Sequence, residues 1–202
     1  TSKKPCFRYI STMAVSFCAA IAVENLTYPG FRRAAELCRA RVVGIPSDDE
    51  GPIVAALAHA VREQGVQLFC TSSEVNNPTV RHTSPARRRE IAALAARLDL
   101  NIVDDDCYAI GTHRDESYFS LAPDLGWYVS STSKALTPAL RVGYVVAPRP
   151  RVMDLARTAA FSHFGLARPL TERQCEYAAA DVWYLLPIAS QLMAETDRAG
   201  WL

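Results

Sequence analysis

Four groups of residues in this 202-residue chain have types and spacing that can do chemistry: Asn77-Pro78-Thr79, Asp105 with Tyr108, Ser131-Thr132-Ser133-Lys134, and Arg141. An amine becomes a nucleophile once deprotonated, which neighbouring positive charge and partial desolvation both favour, so a lysine in a Ser/Thr-rich turn is a candidate for covalent work. A guanidinium fork with nearby hydroxyl donors suits a phosphate dianion. Taken singly, each group has an ordinary reading. Asn-Pro is commonly a turn, Asp-x-x-Tyr a helix start with a packed ring, and a lysine a solvated charge.

The elements that must position these residues follow a repeated rhythm of short apolar run, turn and amphipathic stretch. Strands are expected at Ala19 to Val23, Val42 to Ile45, Val66 to Cys70, Leu100 to Val103, Trp127 to Ser130 and Val142 to Ala147. Helices are expected at Phe31 to Ala40, with Ala34, Ala35, Leu37 and Cys38 inward, and from about Pro52 to Glu63, where Asp48, Asp49 and Glu50 precede the positive end of the helix dipole. A third runs from Pro85 to about Leu98 behind a Ser84 cap, and a fourth from Arg151 to Phe161. Alternation of this kind predicts a three-layer α/β fold: a mostly parallel sheet with right-handed crossovers and helices on both faces. Ligands of such sheets bind at the carboxyl ends of the strands, where all four groups fall.

Composition narrows the class. Half the residues are apolar and 21% are charged, which excludes disorder, collagen and coiled coil. A formal net charge of +1 supplies no global field for nucleic acid or an anionic membrane. Six cysteines at 6, 18, 38, 70, 107 and 175 form no C-x-x-C pair and no zinc pattern, so they read as core residues of a reducing compartment, the cytoplasm by default. The apolar run Met13 to Val23 is too short to span a membrane and leads into Glu24 and a turn, which favours a buried strand over a signal peptide. His82 with Arg81, Arg87, Arg88 and Arg89 offers a basic patch, although arginines on the polar face of a capped helix are ordinarily solvated.

In combination, AVENLTYPGFRRAAELCRARVVGIPSDDEG, NNPT, NIVDDDCYAIG and SSTSKALTPALRVGYVVAP resemble the pyridoxal-phosphate enzymes of the class I and II aminotransferase fold, in particular the aminotransferase-like domains joined to winged-helix regulators. The resemblance covers about residues 22–169. Its most specific part is Ser-x-Ser-Lys followed seven residues later by Arg and a Gly-Tyr strand. The resemblance implies that Lys134 forms the Schiff base with the cofactor, that Asp105 pairs with the pyridinium nitrogen, and that Asn77 and Tyr108 hydrogen-bond the phenolic oxygen. It further implies that Ser131, Ser133 and Arg141 hold the phosphate and that Tyr28 reaches the phosphate of a neighbouring subunit. The chain departs from the pattern at Leu26, where proline is expected, and at Val80, where glycine is expected. Nothing between Thr1 and Ala22 supplies the small-residue phosphate loop, and the arginine for a substrate carboxylate is missing downstream.

From about Pro169 the sequence is similar instead to the end of the ribonuclease D exonuclease domain, including that family's Tyr-x-x-x-Asp as Tyr177 and Asp181. There the aspartate would bind a divalent cation and the tyrosine would orient water. The expected organisation is therefore a partial pyridoxal-phosphate transferase-like large domain over 1–168 and a helical tail over 169–202, in a truncated or chimeric sequence. A doubly wound sheet without an edge and a lid leaves apolar surface that a second copy would cover, so a homodimer is expected. The leading function is an aminotransferase-like domain acting on an amino acid or amine. The alternatives are a metal-dependent 3'-5' exoribonuclease fragment, the one reading that brings in nucleic acid, and a non-catalytic ligand-sensing regulatory domain.

Overall fold

The structure, a computed structural model, describes residues 18–109, 115–135 and 143–155. The chain divides into two compact units, Thr1–Ser162 and His163–Leu202. The second unit, with Tyr177 and Asp181, lies outside the described residues, as do Arg141 and most of the helix expected at Arg151 to Phe161.

In chain order the first unit carries β1 (Ala20–Glu24), α1 (Pro29–Cys38), β2 (Arg41–Ile45), β3 (Ser47–Asp48), β4 (Gly51–Pro52), α2 (Val54–Gln64), β5 (Leu68–Thr71), α3 (Pro85–Leu98), β6 (Asn101–Asp105), α4 (Tyr118–Leu121), β7 (Gly126–Ser131), α5 (Thr132–Ala135) and β8 (Gly143–Val146). Six of these strands form one sheet in the order β2-β1-β5-β6-β7-β8. Every pairing is parallel except β7 with β8. β1 and β5 are buried along their whole length, as strands covered on both faces must be, and this is why they read as continuous apolar runs.

The two faces hold separate cores. Ala22, Ile45, Phe69 and Ile102 pack under α2 and α3, with Leu57, Ile91 and Leu94. Ile21, Val23, Cys70, Val103 and Val129 pack on the other face, with Phe31 and Ala35 of α1. Each large side chain removed from water in these layers contributes roughly 1.5 to 3 kcal/mol. In α1 the helical period brings Phe31, Ala34 and Ala35 inward and turns Leu37 out to 54% exposure, so the inward placement expected for Leu37 is corrected.

Helix ends follow local chemistry. Ser84 caps α3 by accepting from the Arg87 amide at 3.2 Å, with Pro85 in the first turn, as the sequence implied. α2 stops at Gly65, whose φ of 65° is the left-handed geometry that glycine adopts without steric cost. The acids ahead of α2 do not serve its dipole, since its first turn holds none. Asp48 sits in the β3–β4 hairpin instead, accepting from the Glu50 amide at 2.9 Å and from both terminal nitrogens of Arg87 at 3.2 and 3.0 Å. No helix among the described residues is long and apolar enough to cross a membrane.

Candidate active site

β6 runs two residues further than its apolar core suggests, so Asp104 and Asp105 are strand residues and alternate faces. Asp105 continues the stripe of Val103 on the α1 side, and Asp104 points to the α3 side. The three consecutive acids are thereby sorted. Asp104 accepts from the Ser73 amide at 3.1 Å and its hydroxyl at 2.9 Å, and Asp106 accepts from the Tyr128 hydroxyl at 2.9 Å. Asp105 accepts from the Cys107 amide at 3.2 Å and is 4% exposed. Burial pushes its carboxyl up to about 6. Asp104, fully buried and beside Asp106, is pushed up to about 7.

Two of the other residues singled out in the sequence meet at Tyr108, three residues beyond Asp105. Asn77 donates from Nδ2 to the Tyr108 hydroxyl at 3.2 Å. The Lys134 ammonium lies 5.1 Å from the centroid of the Tyr108 ring, a cation–π arrangement. Tyr28 precedes α1 with its ring edge-on to Phe31, centroids 6.2 Å apart. Gly30 admits that ring, because a Cβ at this position would collide with it. The Tyr28 hydroxyl is held above its usual range by burial first and by the negative charge of Asp105 next. Ser131 ends β7, in register two residues beyond the Val129 that pairs with Asp105, so it shares the face of Asp105. Ser133 lies in α5, one residue before Lys134.

Tyr28, Asn77, Asp105, Tyr108, Ser131 and Lys134 thus gather at the carboxyl end of the sheet. Two expectations are corrected. Lys134 is exposed, so the desolvation expected at the lysine falls on Asp105 instead. The basic patch is an ion-pair network. Arg88, 1% exposed, donates to Glu74 at 2.8 Å and lies 3.0 Å from His82, while His82 meets Asp115 at 2.8 Å. Arg89 pairs with Glu116 at 2.8 Å and Arg81 with Asp49 at 3.6 Å. Glu74, His82 and Asp115 have metal-ligand spacing, but the buried Arg88 guanidinium already supplies the cation to this cluster. A cavity of about 230 Å³ lined by Glu74, Arg88, Asp104, Asp106 and Tyr128 lies on this opposite face, away from Asp105 and Lys134.

Sequence reasoning passed over Glu24 and Asn76, which lie buried beneath the Asn77 turn. The one signal available was an acid closing an otherwise apolar strand. Val80, at the position where glycine was expected, has φ 58°, so the backbone there keeps a left-handed conformation without the residue that adopts it freely.

The sheet order, the crossovers and the strand-end cluster define a large-domain α/β fold shared with solved aminotransferases. The alpha-aminoadipate aminotransferase LysN of Thermus thermophilus, solved with N-(5'-phosphopyridoxyl)-L-leucine, aligns with a TM-score of 0.68 at 25% identity, over 77% of this chain and 43% of that one. The family model for aminotransferase class I and II matches residues 9–179, and the chain belongs to that family. Aminotransferase swnA of Metarhizium robertsii is 36% identical over 198 residues, 90% of this chain and 38% of its own length. The HTH-type transcriptional regulator YdeF of Bacillus subtilis is 28% identical over 130 residues, 64% and 28% of the two chains. A 37-residue stretch, 18% of the chain, is 81% identical to 10% of ribonuclease D of Escherichia coli. The chain thus spans between 10% and 38% of the length of these curated relatives.

Proposed function

We propose that this chain is the large-domain portion of a pyridoxal-phosphate-dependent aminotransferase, acting on an amino acid or amine with Lys134 as the covalent anchor through a Schiff base. The observation that carries the reading is Asp105. It is a carboxyl group buried at a strand end, with its pKa pushed up to about 6, and no ion pair engages it among the described residues. Such a group suits a cationic heterocycle, whose positive charge would restore the carboxylate.

When bound, the cofactor supplies an electron sink for bonds to the substrate's amine-bearing carbon. This chain's residues do the rest. Asp105 holds a proton on the ring nitrogen. Asn77 and Tyr108 present an amide and a hydroxyl toward the phenolic oxygen from a pair already hydrogen-bonded to each other. Lys134, on its four-residue helix beside Tyr108, offers the ε-amine as nucleophile and proton carrier. Ser131, Ser133 and Arg141 are assigned to the phosphate and Tyr28 to the rim of the site. A homodimer in a reducing cytoplasm accompanies this reading. So does the division into a transferase-like part over 1–168 and a ribonuclease D-like tail over 169–202.

Two further readings have observations behind them. The match to YdeF favours a ligand-sensing domain that binds cofactor without turnover. The 81% identical stretch favours a nuclease fragment, but the Tyr-x-x-x-Asp motif at Tyr177 and Asp181 supplies one carboxylate where a two-metal site needs several. The deciding experiment is an absorbance titration with pyridoxal phosphate followed by addition of amino acids. A new band in the wild type, absent in Lys134→Ala and bleached by an amino donor, supports amino-group transfer. A band that no amino acid alters supports sensing, and no band refutes cofactor binding. Release of nucleotides from RNA with manganese, lost in Asp181→Ala, would support the nuclease.

A further inference from the structure

We infer that Glu24 is a positioning residue for this site: its buried carboxylate holds the Asn76 side chain, and Asn76 holds the turn that presents Asn77 to Tyr108. Glu24 is the last residue of β1 and is 6% exposed, on the sheet face away from Asp105. Its Oε1 accepts from the Thr71 hydroxyl at 2.6 Å and its Oε2 from Asn76 Nδ2 at 2.7 Å. Asn76, 3% exposed, spends its remaining groups on the turn that follows. Its Oδ1 accepts from the Thr79 hydroxyl at 3.0 Å, its amide donates to the Arg81 carbonyl at 2.9 Å, and its carbonyl accepts from the Val80 amide at 2.7 Å. The next residue is Asn77, whose Nδ2 reaches Tyr108 at 3.2 Å.

A carboxylate suits this place because the groups facing it, the Thr71 and Ser47 hydroxyls and the Asn76 amide, are donors, and an acid accepts through both oxygens. Burial pushes the Glu24 carboxyl up while the side-chain donors of Thr71, Asn76 and Ser47 oppose it, consistent with a group kept for its acceptors. Glutamine matches the shape with one acceptor and one donor. The Thr71 hydroxyl can turn round to accept from it, so Glu24→Gln should keep the turn in place, whereas alanine leaves the Asn76 side-chain Nδ2 without its acceptor.

The inference rests on reading Asn77 and Tyr108 as cofactor contacts, so one arm of its test is independent of the cofactor. In the full cofactor-free chain, the Asn77 side-chain amide resonance, assigned with Asn77→Ala, should move toward the value of a solvated amide in Glu24→Ala and in Asn76→Ala, and stay near wild type in Glu24→Gln. With pyridoxal phosphate added, both truncations should weaken its Kd roughly tenfold, about what one hydrogen bond to an ionised group is worth. They should also raise the pH midpoint of the cofactor's absorbance, as Asn77→Ala itself should, because a donor lost from the phenolic oxygen destabilises its anionic form. Glu24→Ala combined with Asn77→Ala should bind no more weakly than Asn77→Ala alone. The inference is overturned if the Asn77 resonance is unmoved in a folded truncation, if the two effects on Kd multiply, or if Glu24→Gln is as damaging as alanine. Asn76→Ala carries the comparison should Glu24→Ala not fold. A wild type that takes no pyridoxal phosphate defeats the aminotransferase reading, while the amide resonance still decides the positioning role.

Discussion

Replacing Asp105 by asparagine should stabilise the cofactor-free chain while weakening its hold on cofactor. Asp105 is 4% exposed, and burial raises its carboxyl from an ordinary 3.8 to about 6. As pH rises, the unfolded chain releases this proton near 3.8 and the folded chain near 6, so between those values the folded state binds more protons and stability falls. Above 6 the loss is complete. At 1.36 kcal/mol per pH unit, the interval corresponds to about 3 kcal/mol of native-state cost at pH 7. Asparagine has nearly the same shape, can accept from the Cys107 amide, and carries no charge to desolvate. Urea unfolding from pH 4 to 7 is the assay. The wild-type and Asp105→Asn curves should nearly coincide at pH 4 and separate by about 1 to 3 kcal/mol at pH 7, with the variant the more stable. Asp104 titrates toward about 7 in both proteins and cancels in the difference. Pyridoxal phosphate should reverse the order, its Kd weakening at least tenfold in the variant, because stability and binding draw on the same buried carboxylate. Parallel curves across the pH range, or a variant less stable at pH 7, would refute the reasoning.

Two further perturbations test the frame around the site. Val80→Gly should raise thermal stability, since Val80 holds φ 58° while 74% exposed and so loses little burial; a gain of about 1 kcal/mol, or roughly 2 to 4 °C, is expected by calorimetry. Arg88→Met should cost about 3 to 5 kcal/mol in urea unfolding, because it strips the buried counter-ion from Glu74 and Asp115; a loss under about 1 kcal/mol would show that the network is not what holds α3 to its neighbours.

The sheet was legible because its evidence is local. The runs at Ile21, Leu68 and Ile102 and the Ser84-Pro85 cap each announce themselves within a few residues. The hairpin at Ser47–Pro52 was not, since two-residue strands leave no period to read and the partner that fixes Asp48 is Arg87, 39 residues away. Arg88 looked like one of three solvated arginines because its partners Glu74 and Asp115 arrive on separate loops. For the candidate site, residue types and order singled out Asn77, Asp105, Tyr108 and Lys134, and the fold sets each where a strand or turn ends. Glu24 and Asn76 escaped notice for the opposite reason: their role exists only once β1, β5 and the turn after β5 lie side by side.

The claim on which the account turns is that Lys134 is the amine that captures the cofactor. Borohydride reduction of the full chain with pyridoxal phosphate, followed by proteolysis and mass mapping, tests it directly. A pyridoxyl adduct is expected on the peptide carrying Lys134, lost in Lys134→Ala without loss of folding. No adduct, or one confined to Lys3 or Lys4 at the N-terminus, would contradict it.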